Sequence, residues 1–162
     1  MPRFLIEALS PHHDRASFES GSEPLDRYLR ERASQDVRRR TTACFVAIDE
    51  ETQKIAGYYT LSAGAIALTD LPEHLTKRLP RYPSVPVARL GRLAVNQAYR
   101  IQKLGAALLW DGYTRASRSE LMAYALLVDA KDDRAANFYR HHGFIALGNG
   151  LQLVLPFGKN RP

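Results

Sequence analysis

Strand-like apolar runs alternate along this chain with segments of helical periodicity, and this alternation constrains the fold more than any other feature. Thr42 to Ile48 and Ile55 to Leu68 favour two strands joined by a polar turn, which is typical of a β-hairpin. Elsewhere helices separate the strands, as crossover connections require. Hairpins mixed with crossovers predict an α/β fold with a mixed sheet flanked by helices. The length of 162 residues suits one domain over 1–162.

Apolar spacing, caps and prolines give the remaining elements. Leu25, Leu29 and Ala33 recur every four residues and predict a helix with Ser22 as its N-cap. The predicted helices are Ser22 to about Arg39, Leu71 to Leu79, Leu104 to about Arg118, and Asp132 to a helix-ending glycine at Gly143. The other predicted strands are Phe4 to Leu9, Val85 to Val95, Leu126 to Val128 and Leu151 to Phe157. Three prolines, Pro80, Pro83 and Pro86, are expected to break regular structure.

Composition excludes several classes of protein. Hydrophobic residues at 45% and charged residues at 25% exclude a disordered chain. The single cysteine, Cys44, excludes a disulfide framework and a multi-thiolate metal site, and we expect no bound metal. No apolar run approaches the roughly 20 residues that span a bilayer, and the first residues lack a signal-peptide pattern. We therefore expect a cytoplasmic protein without membrane contacts.

Basic residues are in surplus and clustered. Lys and Arg number 23 against 17 Asp and Glu, a net charge of +6, which favours a polyanionic partner. Six arginines lie in a stretch of fourteen residues that begins within the first predicted helix: Arg27, Arg30, Arg32, Arg38, Arg39 and Arg40. Phosphate contacts are one interpretation of this cluster. The alternative is a solvated helix end whose cations stabilise the C-terminal dipole.

Two segments carry the chemistry. In the first, which runs from Arg92 to Asp111, a strand and a basic loop lead into a helix that opens near Leu104. A helix N-terminus presents unpaired N–H groups and favours an anion, although a plain connection has the same pattern. The second segment, Ala135 to Phe144, is a small-residue helix ending in Gly-Phe. Its Tyr139 is a candidate proton donor, or a half-buried core tyrosine.

Together these segments resemble the GNAT-type N-acetyltransferases. The first resembles their acetyl-coenzyme A motif, and Asn137 to Phe144, which reads Asn-Phe-Tyr-x-x-x-Gly-Phe, resembles their closing helix. Phe18 to Leu29 is similar to the opening block of the acetyltransferase toxins of bacterial type II toxin–antitoxin pairs, and Ala56 to Ser62 to their second-hairpin strand. The matching blocks run from about residue 4 to residue 156 in the family's order.

The resemblance implies a GNAT fold, acetyl-CoA as co-substrate and a set of site residues. The implied coenzyme-binding residues are Leu93, Ala94, Val95, Arg100, Ile101, Gln102, Lys103, Leu104, Gly105, Ala106 and Asn137. The backbone of the first three is implied to hydrogen-bond the pantetheine arm, and the loop amides from Arg100 to Ala106 are implied to hold the pyrophosphate. Tyr139 is the implied general acid, with direct attack by an amine. No general base stands out, and Glu31, Asp36 and His141 are candidates only because they titrate.

For the toxin subgroup, the implied acceptor is the α-amino group of an aminoacyl-tRNA, so that acetylation blocks translation. The implied tRNA-binding residues are Arg30, Arg38, Arg39 and Arg40. The implied partners are a ribbon-helix-helix antitoxin and a second copy in a homodimer. Two alternatives stay open: a GNAT enzyme acting on a small amine or a protein, and an RNA-binding module with weakened catalysis.

The sequence departs from the family where its coenzyme loop usually has glycines. Ile101 and Lys103 take those places, and Gly105 is the usual glycine that survives. Glycine serves such loops through positive φ and close backbone approach. We expect the ammonium of Lys103 to compensate beside the pyrophosphate. A misshapen loop with poor coenzyme affinity is the alternative.

Overall fold

The structure, a computed structural model, describes residues 3–148 and 150–158, without the side chains of residues 101 and 102. Within these residues the strands are β1 Phe4–Ala8, β2 Ala43–Asp49, β3 Ile55–Ala67, β4 Ser84–Val95, β5 Ala125–Asp129, β6 Ile145–Leu147 and β7 Gln152–Pro156. The helices are α1 Glu23–Glu31, α2 Ala33–Arg38, α3 Glu73–Thr76, α4 Leu104–Ser117 and α5 Asp133–His141. Short 3-10 helices cover Leu68–Asp70 and Gln97–Gln102. Across the described ranges, no helix is both long and apolar enough to cross a membrane.

The described strands form one mixed sheet, as predicted, in the order β1-β2-β3-β4-β5-β7-β6. The pairs β1–β2, β2–β3, β5–β7 and β6–β7 are antiparallel, so the predicted hairpin of β2 and β3 is confirmed. β4 and β5 run parallel, with Val87–Leu90 opposite Ala125–Val128. β4 itself continues to Val95 beyond this pairing.

The chain divides into two compact units, and β3 and β4 contribute residues to both. The first unit is Met1–Ser62 with Gly91–Tyr113, and the second is Ala63–Leu90 with Thr114–Pro162. The first unit packs a core around Phe18, Leu29 and Tyr58. Gly57 permits the close approach of α4 to β3, because a Cβ there would lie 2.8 Å from the Leu108 side chain and 2.9 Å from the Ala94 carbonyl.

The second unit is organised around β5 and α5. Its core includes Val87, Leu127 and Val154, all nearly inaccessible to solvent. α5 begins and ends as predicted: the Asp132 carboxylate accepts a hydrogen bond from the Ala135 amide at 2.8 Å, and Gly143 follows the helix at φ +94°. These two caps fix the ends of the helix that carries Tyr139.

The prediction of one helix from Ser22 to Arg39 is wrong, because the segment breaks at Arg32, where φ is −118°. In a straight helix, Tyr28 and Asp36 would lie about 12 Å apart along the axis. In the structure the Tyr28 hydroxyl donates to the Asp36 carboxylate at 2.7 Å. The break between α1 and α2 accommodates this tertiary contact, which helical periodicity alone does not encode.

Three smaller expectations are also corrected. Pro86 lies inside β4, on an exposed position, and its carbonyl accepts the Tyr124 amide at 2.8 Å. The strand tolerates this proline where its missing N–H is not needed. The predicted helix over Leu71–Leu79 is a single turn, Glu73–Thr76, and the short strand β6 was not predicted.

The first turn of α1 is built around a buried carboxylate. Asp26, 6% exposed, accepts hydrogen bonds from the Ser20 hydroxyl at 2.6 Å and from the Ser20 amide at 3.1 and 3.2 Å. The Ser20 hydroxyl oxygen in turn accepts the Ser22 amide at 3.1 Å. Ser22 is the predicted N-cap residue, but its own side chain makes no capping bond. The carboxylate and Ser20 therefore organise the entry to the helix.

Asp26→Ala is expected to lower the free energy of unfolding by about 2 kcal/mol, because it leaves the buried Ser20 donors without their acceptor. Urea denaturation measures this change. Glu23→Ala is the matched control, since Glu23 is an exposed acid in the same helical turn. Its loss is expected to cost less than about 0.5 kcal/mol. Equal losses in the two variants would contradict the role given to Asp26.

Candidate active site

The end of β4 carries the first group of predicted site residues. Leu93 and Val95 are half-buried and Ala94 is buried. The strand is anchored on both sides of them, since the Arg92 amide donates to the Thr60 hydroxyl at 3.1 Å and the Asn96 amide to the Ala56 carbonyl at 2.8 Å. The backbone of these residues is therefore held in place within the first unit.

After β4 the chain forms the coenzyme-loop segment, residues 96–106. The Asn96 side chain caps its 3-10 helix by accepting the Ala98 amide at 3.0 Å. α4 then begins at Leu104, as predicted. The first amides of a helix have no partner within the helix, so those of Leu104, Gly105 and Ala106 form a place where an anion is stabilised.

Lys103 connects the 3-10 helix to α4 in a left-handed conformation, with φ 55° and ψ 27°. Glycine is the residue that adopts this region without steric cost. The loop thus has the backbone shape that a glycine favours, at a position where the sequence has lysine. The lysine is exposed, so its ammonium adds positive charge at the start of α4. The side chains of Ile101 and Gln102 lie outside the described residues.

Side chains of the coenzyme-loop segment anchor it to the rest of the first unit. Arg100 donates to the Ser20 carbonyl, so this arginine, predicted to face the pyrophosphate, contacts the opening block. Gly21 lies beside it at φ +94°, and a Cβ there would come within 2.8 Å of the Arg100 guanidinium. The Tyr99 hydroxyl donates to the Asp49 carboxylate at 2.5 Å, and this bond lowers the pKa of Asp49.

Tyr139, the predicted general acid, lies on α5 in the second unit. It is 6% exposed, and its ring packs against Phe138 and Phe144 with centroids 5.3 and 5.6 Å away. Burial raises the pKa of Tyr139 to about 12, and the negative charge of Asp129 contributes in the same direction. The phenol therefore keeps its proton at neutral pH, as a proton donor must.

Two polar groups accompany Tyr139 in the second unit. Asn137 is exposed on the same helix, and its side-chain oxygen accepts from Arg140 at 2.8 Å. Asp129, at the end of β5, forms a two-point ion pair with Arg89 at 2.6 and 3.1 Å. This pair raises the pKa of Arg89 and keeps the arginine charged beside the last residues of the parallel pairing.

The predicted RNA-binding arginines are exposed, as a solvent-facing cluster requires. Arg38 ends α2, Arg39 is its C-cap, and Arg40 follows in a left-handed conformation at φ 61°. Arg30 on α1 lies 3.4 Å from the Glu23 carboxylate. The arginines at the end of α2 also stabilise its helix dipole, so the geometry is compatible with both interpretations of the cluster.

The single cysteine of the sequence packs in the core. Cys44 is 3% exposed on β2 among the core residues of the first unit. Burial raises the pKa of the thiol to about 12. A nucleophilic cysteine needs a thiolate at working pH. Cys44 therefore stays a protonated thiol at neutral pH.

Glu7, His12 and His13 form a cluster with metal-ligand atoms within 4.8 Å of one another. The ring of His13 is already engaged at both nitrogens. Its Nδ1 accepts the Ser10 amide at 2.9 Å, so Nε2 carries the proton and donates to Glu7 at 2.8 Å. These bonds form a hydrogen-bonded network at the end of β1.

Sequence reasoning missed a second group of polar residues in the first unit. The Arg92 guanidinium lies over the ring of Tyr28, with Cζ 3.5 Å from the centroid. Tyr28, Asp36, Arg27, Arg32 and Arg92 line a cavity of about 470 Å³. The positions are far apart in sequence, and no periodicity connects a strand residue such as Arg92 with the helices.

Comparison with known proteins gives matches over nearly the whole chain. The profile of the Acetyltransferase (GNAT) family matches residues 6–144. A tRNA-acetylating toxin of Mycobacterium tuberculosis (strain ATCC 25618 / H37Rv) is 35% identical over 150 residues, which are 91% of this chain and 88% of the toxin.

Solved structures show the same similarity in three dimensions. AtaT complexed with acetyl-methionyl-tRNAfMet superposes with a TM-score of 0.88, at 26% identity and with 95% of each chain covered. AtaTR bound with AcCoA gives a TM-score of 0.82, at 26% identity, covering 94% of this chain and 93% of that one. Together with the profile match and the 35% identical relative, these similarities establish that the chain belongs to the GNAT acetyltransferase family.

Proposed function

We propose that this protein is an acetyltransferase toxin that moves the acetyl group of acetyl-CoA to the α-amino group of aminoacyl-tRNA and so blocks translation. The observation that carries the proposal is the amide-presenting start of α4 behind a left-handed Lys103, in a chain 35% identical to a tRNA-acetylating toxin. The similarity to AtaT complexed with acetyl-methionyl-tRNAfMet supports the same acceptor. The similarity to AtaTR bound with AcCoA supports the donor.

Each coenzyme group has a proposed partner. The amides from Arg100 to Ala106 hold the pyrophosphate, because a helix start favours phosphate charge. The backbone of Leu93–Val95 forms hydrogen bonds with the pantetheine arm. The amide near Val95 polarises the thioester carbonyl, as an oxyanion donor would. Asn137 contributes an amide side chain to the coenzyme. The anchoring of Arg92 and Asn96 supports these roles, since an oxyanion donor must be fixed before the reaction.

The reaction is a direct displacement at the thioester carbonyl. The neutral amine attacks the carbonyl carbon, the C–N bond forms, and the C–S bond then breaks. The attacking nitrogen loses its extra proton to solvent before the C–S bond breaks, Tyr139 gives its proton to the departing thiolate, and the phenol then regains a proton from solvent. An α-amino group has a pKa near 8, so a useful fraction is neutral at pH 7. We assign no general base, and Asp36 is already bonded to Tyr28.

Two assemblies remain predictions. A ribbon-helix-helix antitoxin is expected to cover the coenzyme and arginine surfaces, and the toxin itself is expected to form a homodimer. The exposed arginines support an acidic partner segment, because opposite charges favour association. Expression of the chain alone is then expected to arrest growth.

The acceptor is tested by incubating the protein with labelled acetyl-CoA, total charged tRNA, free amines and a protein mixture. Label on the aminoacyl end of tRNA is the expected result. Label confined to small amines or proteins would favour an ordinary GNAT enzyme. Tight tRNA binding without any transfer of label would favour a non-catalytic RNA-binding module.

Tyr139→Phe is expected to bind acetyl-CoA normally and to transfer acetyl at least about 100-fold more slowly, as loss of a positioned acid implies. Tyr82→Phe, at an exposed tyrosine, is the matched control and keeps full activity. Because the pKa of Tyr139 is about 12, its acid form persists as pH rises from about 8 to about 10. Initial rates in that range are expected to show no loss from its ionisation. A tenth or more of the activity in Tyr139→Phe would remove Tyr139 from this role.

Reversing the charge of Arg38, Arg39 and Arg40 together is expected to weaken tRNA binding and to flatten its dependence on salt, since fewer counterions are released. Acetyl-CoA binding stays unchanged. The matched control reverses Lys77, Arg78 and Arg81, three exposed cations in the second unit. Titrations at several salt concentrations measure the slopes. An unchanged slope in the Arg38–Arg40 variant would assign those arginines to helix stability alone.

Lys103→Ala and Lys103→Gly are both expected to weaken acetyl-CoA binding by about 1 kcal/mol, because each removes a charge-assisted contact. Lys103→Gly is also expected to raise folding stability by about 1 kcal/mol, since glycine relieves the left-handed backbone. Gln53→Gly is the matched control: φ is 63° there, so stability rises while coenzyme binding does not change. Calorimetric titration and thermal unfolding measure both quantities. Tighter binding in Lys103→Gly would show that the lysine impairs the loop.

A further inference from the structure

The cavity beside α1 and α2, which we call the arginine pocket, is lined by three arginines, one acid, one tyrosine and two apolar residues: Arg27, Arg32, Arg92, Asp36, Tyr28, Pro24 and Leu25. Its volume of about 470 Å³ lies within the range of small-molecule sites. Three guanidinium groups share this pocket with one carboxylate, so its charge balance favours an anion. All of its lining residues belong to the first unit.

Arg92 lies over an aromatic ring at this pocket. Its guanidinium lies 3.5 Å from the Tyr28 ring centroid, and the Tyr28 ring is parallel to that of Tyr58, at 6.5 Å and 6°. The Tyr28 hydroxyl is fixed by its bond to Asp36. A guanidinium fixed in this way can stack on a nucleobase as well as bind an anion, which a flexible lysine cannot do.

The remaining arginines differ in their surroundings. Arg27 is exposed on α1 and lies 3.4 Å from Glu23 and 3.9 Å from Glu31, so acidic neighbours offset part of its charge. Arg32 stands at the break between α1 and α2, where the chain turns toward Asp36. The break therefore places one arginine at the wall of the pocket while Tyr28 and Asp36 hold the two helices together.

We propose that the arginine pocket binds one phosphorylated nucleotide of the acceptor RNA, with the base stacked on Arg92 and the phosphate held by Arg32 and Arg27. The identity of the RNA rests on the proposed function. A nucleotide fits better than an acidic peptide, because a peptide carboxylate uses the charges but not the planar surface. The pocket thus recognises a unit of single-stranded RNA, whereas the run Arg38–Arg40 contributes charge without such a surface.

The test titrates adenosine 5′-monophosphate, adenosine and an acidic hexapeptide into the full chain by calorimetry. Saturating CoA is present throughout, so that the coenzyme's own adenosine site is filled. The nucleotide is expected to bind more tightly than adenosine or the peptide. Arg92→Gln and Arg32→Gln are each expected to weaken nucleotide binding about 10-fold, since the first removes the surface on which the base stacks and the second removes a charge-assisted contact to the phosphate.

Arg78→Gln is the matched control, because Arg78 is an exposed arginine of the second unit outside the pocket, and it leaves nucleotide affinity unchanged. Thermal unfolding and CoA affinity verify that the pocket variants are folded. Nucleotide affinity that is the same in both pocket variants as in the parent overturns the proposal, as does tighter, pocket-dependent binding of the peptide.

This readout is independent of acetyl transfer. Acetylation of aminoacyl-tRNA together with nucleotide affinity indifferent to Arg32 and Arg92 would reject the pocket and keep the proposed function. Pocket-dependent nucleotide binding without any acetylation of aminoacyl-tRNA would reject the proposed acceptor and keep the pocket.

Discussion

The turn between β4 and α4 is held by hydrogen bonds to two other segments of the first unit, the opening block and the end of β2. The Gln97 amide donates to the Glu19 carbonyl at 2.8 Å, Arg100 donates to the Ser20 carbonyl, and Tyr99 donates to Asp49. Each bond joins residues 50 or more positions apart. These distant segments must be folded before the amides at the start of α4 are held in a single arrangement. An anion site made of backbone groups is fixed by tertiary structure, since its donors have no side-chain freedom of their own.

The same constraint links the opening block to the coenzyme-loop segment. Asp26 organises Ser20, and the Ser20 carbonyl receives Arg100. Gly21 leaves space for that arginine, at a φ that other residues rarely adopt. The motif Phe18 to Leu29 resembles a family block in sequence, and in the structure it has a physical role. It supports the loop from the side and positions the helix that carries Tyr28.

Local patterns predicted what depends on local physics. The caps of α5, the start of α4 and the hairpin of β2 and β3 follow from side chains and spacing within a few residues. The break at Arg32 could not be predicted, because it accompanies a contact between Tyr28 and Asp36 that competes with helical periodicity.

The same distinction holds for the candidate site. Residues in motifs were found, including Tyr139 and the start of α4, although their roles remain predictions. The contact of Arg92 with Tyr28 was missed, because the two residues lie 64 positions apart and no sequence pattern connects them. Arg100 was assigned to the pyrophosphate loop by the family resemblance, and the bond of its side chain to Ser20 depends on an approach that spacing does not reveal.

Because Cys44 is buried, the reactivity of its thiol reports on opening motions of this chain. A thiol with a pKa of about 12 and 3% exposure reacts slowly with alkylating reagents until the packing around it opens. Because the sequence contains no other cysteine, every labelled molecule marks an opening of the core around Cys44. The labelling rate thus measures how often the first unit opens, without any engineered probe.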